Sequence, residues 1–268
     1  MKKWAGFIAL ALLLCLQTEA RAGEQTGIYV APKFMTGFTG WHGKNELGVS
    51  SNMPGTGQGS YSEGAQHANT LVGGALAIGY DFDKKYEIPV RAEIEYGVWS
   101  KLSGETSLGT NLDAVFTGTG DAVMAFTGMQ FEMDIQTLMA NLYWDFKNST
   151  AFTPYVGAGL GLAFIQARAV VKGNGTNAAH AASFSLEKDT GIRGQTNFAW
   201  QVGAGCSYAF TDAVSVDLGY RFVSLGNVET NTARVAIEAL GSTTSFSAKG
   251  KVENLYMHQV GLGLRITF

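Results

Sequence analysis

The chain has 268 residues and a formal net charge of −3, with 35 glycines, 4 prolines and 2 cysteines. The mild acidic balance excludes the basic patch that a nucleic-acid partner needs, and glycine without a matching share of proline excludes collagen and Pro-rich linkers. With Cys15 inside the leader described next, only Cys206 is left in the exported chain, so no internal disulfide is expected.

In chain order, the first element is a leader. Met1-Lys-Lys-Trp is a basic start, Ala5 to Leu16 is apolar, and Ala20-Arg-Ala22 has the small-x-small pattern of a signal-peptidase site. The apolar run is too short for a transmembrane helix, which needs about twenty residues. Residues 1–22 are therefore expected to be a cleaved secretory signal and residues 23–268 a single outer-membrane β-barrel domain. Removing 22 residues leaves 246, and losing the leader's net +2 takes the charge from −3 to −5.

Period-two alternation then predicts eight strands, at about 27–39, 69–82, 88–101, 131–146, 152–168, 196–210, 213–225 and 251–268. On the third, Val90, Ala92, Ile94, Tyr96 and Val98 alternate with Arg91, Glu93, Glu95, Gly97 and Trp99. On the seventh, Val214, Val216, Leu218, Tyr220 and Phe222 alternate with Ser215, Asp217, Gly219 and Arg221. The last places Val252, Tyr256, Val260, Leu262, Leu264, Ile266 and Phe268 on one parity, with Glu253, Gln259, Gly261, Gly263, Arg265 and Thr267 on the other. These strands exceed the five or six residues usual in globular sheets and suit a tilted membrane crossing. Three connections are short, at 83–87, 147–151 and 211–212, and four are long. Short turns on one rim, long loops on the other and an even strand number are the pattern of a bacterial outer-membrane barrel. The expected fold is all-β: an eight-stranded antiparallel up-and-down barrel with short periplasmic turns and four long extracellular loops.

The minority parity decides which face looks outward. It holds Gly, Ala and Ser plus a few isolated charges, whereas a water-facing surface would be far richer in Lys and Glu. An eight-stranded barrel is just wide enough for side chains to fill it. Lys33, Arg91, Glu93, Glu95, Asp217, Arg221 and Arg265 are therefore expected to form a nearly neutral interior charge network, because an unpaired buried charge costs several kcal/mol. Phe82, Phe146, Phe152, Phe210 and Phe268 gather at the short-turn rim as an aromatic girdle, with Tyr96 and Tyr256 further up.

Several blocks carry a family resemblance: Gly27-Ile-Tyr-Val-Ala-Pro-Lys-Phe34, Leu71-Val-Gly-Gly-Ala-Leu-Ala-Ile-Gly-Tyr-Asp-Phe82, Thr153-Pro-Tyr-Val-Gly-Ala-Gly-Leu-Gly161, Trp200-Gln-Val-Gly-Ala-Gly205, Val216-Asp-Leu-Gly-Tyr-Arg-Phe222 and Gly263-Leu-Arg-Ile-Thr-Phe268. Together they resemble the opacity-type and OmpA-like eight-stranded outer-membrane proteins of Gram-negative bacteria, including rickettsial-type surface antigens. The resemblance covers the strands and none of the long loops. It implies that Gly263, Ile266 and Phe268 form the terminal assembly signal. It also implies, as partners, outer-membrane lipid and lipopolysaccharide, the barrel assembly machinery during biogenesis, and a host or surface ligand at the loops.

A Ser–His hydrolase would need both groups within hydrogen-bond reach and a carboxylate to orient the histidine. The four histidines are His42, His67, His180 and His258, and the last strand has no His-x-Ser pair. No metal-ligand spacing and no cofactor motif occurs, so neither is expected. The expected function is a non-enzymatic surface protein with a structural and envelope role that uses its loops for adhesion or antigenic display. A small porin-like channel and a lipid-modifying hydrolase are the alternatives.

Overall fold

The computed structural model describes residues 26–51, 59–106, 114–116, 122–177, 182–239 and 242–268, so the expected leader at 1–22 lies outside the described residues. The described chain is built of strands: β1 (Ile28–Ser51), β2 (Gly59–Asp81), β3 (Val90–Trp99), β4 (Leu102–Thr106), β5 (Ala114–Phe116), β6 (Ala122–Asp145), β7 (Phe152–Asn177), β8 (Ala182–Asp189), β9 (Arg193–Ala209), β10 (Val214–Glu229), β11 (Ala233–Ala239) and β12 (Ser242–Thr267). A one-turn helix α1 (Asp83–Tyr86) sits in the β2–β3 connection.

Eight of these strands close a ring. The antiparallel order runs β1–β2–β3–β6–β7–β9–β10–β12, and β12 pairs back onto β1, from Tyr29 opposite Thr267 to Ser51 opposite Thr244. Closure leaves no strand edge at bilayer depth, where an unpaired amide has no water to turn to. Within this band the apolar parity points outward. Phe34, Ile78, Ile94, Leu142, Leu160, Val202, Leu218 and Leu262 are all exposed large hydrophobics.

Aromatic rings mark both borders. At the short-turn rim Tyr80 meets Phe82 at 4.8 Å, Phe152 meets Tyr208 at 4.7 Å and Tyr208 meets Phe210 at 4.9 Å between centroids. At the outer border Trp200 packs on Phe222 at 5.5 Å and Phe222 on Tyr256 at 5.8 Å.

Above the outer border the molecule departs from the expected long loops. The strands continue as paired hairpins, β1 with β2 as far as Val49 opposite Gly59, β5 with β6, β7 with β8 and β11 with β12, while the ring neighbours β6 and β7 stay paired up to Ala122 opposite Asn177. Their polarity is inverted. Charged residues such as Lys44, Lys101, Glu132, Arg168 and Lys251 face out, while Trp41, Leu71, Leu102, Met129, Phe131, Met133, Ile165, Leu225 and Leu255 are buried between the walls. Loop composition hides this core, because Gly-, Ser- and Thr-rich segments supply backbone pairing while the apolar residues are scattered over several strands.

One consequence is a correction at Val252. It was expected on the lipid-facing parity, yet it is 2% exposed and points inward. Between Gly40 and His42 β1 advances two residues while β12 advances three, from Tyr256 to Glu253, and Asn254 takes a positive φ of 54°. One extra residue reverses every side chain beyond it.

The upper ring is also split. Backbone pairing between β2 and β3 ends at Gly73 opposite Trp99, and between β9 and β10 at Ser224 opposite Trp200. Above those points β2–β1–β12–β11 and β4–β6–β7–β8 form two sheets over the shared apolar core. Side-chain amides stitch the seams. Asn69 donates to the Ser103 carbonyl at 2.8 Å. Asn197 donates to the carbonyls of Leu225 and Asn227 at 2.9 and 2.8 Å, around Gly226, whose φ of 78° suits glycine. Gln195 both donates to the Glu229 carbonyl and accepts from the Glu229 amide.

Phe131 is 1% exposed and meets Trp41 edge-on at 5.9 Å. Replacing it with alanine removes a large buried ring, so Phe131→Ala is expected to cost about 3–5 kcal/mol in urea unfolding of the lipid-reconstituted barrel. A cost near zero would mean that this region is not a packed core.

Candidate functional site: the barrel interior and its outer rim

The lower interior is a layered ionic network. Lys33 of β1 pairs with Glu93 and, at 2.7 Å, with Glu95 of β3. Arg221 of β10 donates to both Glu95 carboxylate oxygens at 2.9 Å. Glu93 also accepts from Tyr29 at 3.1 Å, Tyr143 at 2.8 Å and Asn141 at 3.1 Å, and Gln201 donates to Asn141 at 2.5 Å.

One layer closer to the periplasm, Arg91 grips Asp145 through two nitrogens at 2.8 and 2.9 Å and approaches Asp217 at 3.6 Å. Its guanidinium lies over the edge-on pair of Tyr143 and Tyr155, 5.1 and 5.0 Å from their centroids. Arg265 reaches Asp217 at 3.5 Å and Asp81 at 3.7 Å, and donates to the Ser207 hydroxyl at 2.8 Å.

All seven charged residues singled out from the sequence stand in this interior, and two further carboxylates join them. Asp81 and Asp145 are each 3% exposed. They terminate β2 and β6, where the strand pattern gives way to turn composition, but extending the inward parity of Gly79 and Tyr143 by one step would have reached both. The set is then four cations against five carboxylates. Interior glycines make room for the aromatic members: a Cβ on Gly79 would lie 2.3 Å from the Tyr29 ring, and one on Gly205 2.4 Å from Tyr155. What space is left within the network is about 50 Å³, room for a few waters. The water-filled lumen of a porin is a different object.

The terminal residues lie at the periplasmic rim. The Phe268 amide donates to the Ile28 carbonyl at 2.9 Å, its own carbonyl accepts from Thr26 at 2.7 Å, and Gly263 lies opposite Lys33. Ile266 lies opposite Val30.

His258 belongs to the outer aromatic border. Its Nδ1 shares a 2.7 Å hydrogen bond with the Tyr220 hydroxyl, and its ring lies against Phe222 and Tyr256. That hydroxyl occupies the ring nitrogen a catalytic carboxylate or serine would need. Ser183, three residues after His180, lies on β8, whereas His180 lies outside the described residues, as does the side chain of His67. Among the described residues no cluster of three potential metal ligands occurs.

Above this border stands a belt of outward ion pairs. Glu253 bridges Lys44 at 2.7 Å and Lys251 at 2.9 Å, Glu229 pairs with Lys249 at 2.9 Å, and Glu132 with Arg168 at 2.9 Å and Lys101 at 3.2 Å. Hydrogen bonds from Lys44 and then Lys251 lower the Glu253 pKa from 4.5 to about 2.

This geometry meets its relatives in the outer membrane. An outer membrane protein beta-barrel domain model matches residues 7–239. The chain belongs to that family. Outer membrane protein PagN of Salmonella typhimurium is 32% identical over 225 residues, which cover 83% of this chain and 84% of that protein. A putative adhesin of Rickettsia akari is 25% identical over 147 residues, covering 53% of this chain and 61% of its own length. Among solved structures, Neisserial surface protein A covers 92% of this chain and 100% of its own, at 17% identity and a TM-score of 0.44. The family member described here is thus a Gram-negative outer-membrane protein, its short turns periplasmic and its long hairpins outside.

Two outcomes follow from the network and the belt. Lys33→Met leaves Glu93 and Glu95 short of a cation in a low-dielectric interior. It is expected to destabilise the barrel by about 3–5 kcal/mol, read as the urea midpoint for refolding into vesicles, whereas exposed Lys85→Met should leave that midpoint unchanged. The Glu253 carboxylate, observed by NMR, is expected to titrate near pH 2. Because its folded value is depressed, the Lys44–Glu253–Lys251 bridge is fully formed above about pH 4.5 and is lost only as the pH falls through 2. A midpoint near 4.5 would mean that the bridge does not form in solution.

Proposed function

We propose that this protein is a non-enzymatic surface adhesin, in which a filled barrel carries a rigid extracellular platform to a ligand outside the cell. The observation that carries this reading is the inversion of polarity above the outer aromatic border. Four hairpins with an apolar core between them are an ordered structure built well beyond the membrane, and a structure whose task ended at the bilayer would gain nothing from it. Binding residues concentrate on segments held by a stiff scaffold, and here the scaffold continues into the hairpins themselves. The putative-adhesin name carried by the rickettsial relative supports the same reading.

The ionic network serves this role by stiffening the base. Nine interlocked charges with Tyr29, Tyr143 and Tyr155 tie seven of the eight ring strands together, and β9 joins them through Gln201 and Ser207, at a point where no water-filled lumen remains. Gly263, Ile266 and Phe268 serve biogenesis as the signal read by the barrel assembly machinery, and the aromatic rings and ion-pair belt face lipid and lipopolysaccharide.

The channel reading is less well supported by the same interior, since ions would have to pass both the paired charges and the apolar core. The hydrolase reading finds in His258 a ring nitrogen already shared with Tyr220.

Intact cells displaying the protein are expected to bind host cells or extracellular matrix. Replacing residues 47–61 and 175–184 with short turns should abolish that binding while leaving the heat-modifiable gel shift of the folded barrel. Unchanged binding by the trimmed barrel would remove the adhesin reading. In planar bilayers the intact protein is expected to show no porin-sized conductance, and loss of a lipid deacylase activity on His258→Ala would favour the hydrolase instead.

A further inference from the structure

Above the membrane the split of the ring leaves strand edges. Among the described residues β11 (Ala233–Ala239) is paired to β12 alone, and β8 to β7 alone. At their base the two strands approach each other, where Asn231 donates to the Ile192 carbonyl and Arg193 to the Thr230 carbonyl, both at 3.4 Å, but no backbone pairing joins β8 to β11 among the described residues. An open edge is a row of main-chain donors and acceptors that templates another strand, and proteins blunt such rows with unmatched charges, lysine above all, with proline or with a bulge. The β11 segment Ala-Arg-Val-Ala-Ile-Glu-Ala has no lysine, proline or bulge, and its two charges, Arg234 and Glu238, are of opposite sign.

Its sequence also complements itself. When two copies of β11 lie antiparallel about Ala236, Arg234 of each falls opposite Glu238 of the other, Val235 opposite Ile237, and Ala233 opposite Ala239. In a parallel, in-register pairing arginine would face arginine and glutamate would face glutamate. Opposite charges placed directly across two strands are favourable, and like charges are not. The charge pattern therefore selects the antiparallel pairing.

We propose that the occupant of this edge is the same edge of a second copy of the chain, held in a facing membrane. The direction follows from the topology. β10 rises from the short turn at residues 210–213, and residues 230–232 lead on into β11, so β11 runs away from its own membrane. A twofold axis perpendicular to the strands inverts the partner, and an inverted barrel can sit only in an opposing bilayer. The product is one continuous sheet, β12–β11 of one copy and β11–β12 of the other, joining two cells. The proposal rests on the surface-adhesin reading for the outward display of the hairpins and adds a homotypic partner to it.

The test uses the full-length protein displayed on cells that lack long surface polysaccharide, with two fluorescent labels and co-aggregation read by flow cytometry. Wild-type cells should aggregate with one another. Arg234→Glu places two glutamates on the edge and Glu238→Arg two arginines, so each population alone should aggregate about tenfold less, the scale of two cross-strand pairs at roughly 0.7 kcal/mol each. Mixing the two populations restores both opposite-charge pairs, so mixed aggregates should return toward the wild-type level. The heat-modifiable gel shift shows whether each variant is folded, and binding to host cells should be unchanged in both. Single variants that aggregate like wild type, or a mixture no stickier than its components, would overturn the pairing. Wild-type cells that co-aggregate but bind no host cell or matrix would count against the adhesin reading instead and leave the pairing standing.

Discussion

The constraint on which the rest of the structure depends is that the bilayer interior supplies no partner for a backbone amide. Every strand crossing it must be paired on both sides, and in this chain the only solution is the ring that β12 closes against β1. Once the ring is closed, the alternation of side chains becomes a division between lipid and lumen. The lumen of eight strands is so narrow that it must be filled by side chains. The glycines beneath Tyr29 and Tyr155, and the meshed carboxylates and cations, are answers to that single geometric demand.

The same constraint lapses above the outer aromatic border, and the architecture changes there. Water can satisfy a backbone edge outside the bilayer, so the ring is free to open along two seams that asparagine and glutamine side chains bridge. With water outside and no lipid, the favourable arrangement is the ordinary one for a soluble sheet pair: apolar residues inside, charges outside. One chain therefore carries two opposite amphipathic patterns on the same continuous strands. The exchange takes place within a few residues, between the ring of Trp200, Phe222 and Tyr256 and the belt of Glu229, Lys251 and Glu253.

Much of the lower half was legible from the residues alone. Strand 90–99 states its alternation outright, with Arg91, Glu93 and Glu95 on one parity and Ile94 and Tyr96 on the other, and the scarcity of charge on the matching parity of the other strands assigns that parity to the lumen. Asp81 and Asp145 escaped because they fall at strand ends, where turn composition masks the alternation. The upper core escaped for a different reason. Met129, Phe131 and Met133 stand on the parity opposite to Leu138 and Leu142, so the change of apolar face is written in the alternation, but nothing local says that the new face closes over a core shared with distant strands. Whether a given apolar side looks in or out depends on its height above the membrane, which is a property of the assembled barrel.

Val252 shows the limit most clearly. Composition and period two assign it to the same face as Tyr256 and Val260, and only the extra residue accommodated at Asn254 sends it inward. The sequence by itself determined that this is an exported, eight-stranded outer-membrane barrel with charged residues inside, because length, alternation and the rhythm of short and long connections are local properties that membrane physics interprets in one way. Tertiary structure alone decided that the long connections are paired hairpins over an apolar core, which residues meet across the lumen, and where the sheets come apart. Those outcomes depend on strand register and on the contact of segments distant in the chain, and a single inserted residue is enough to reverse them.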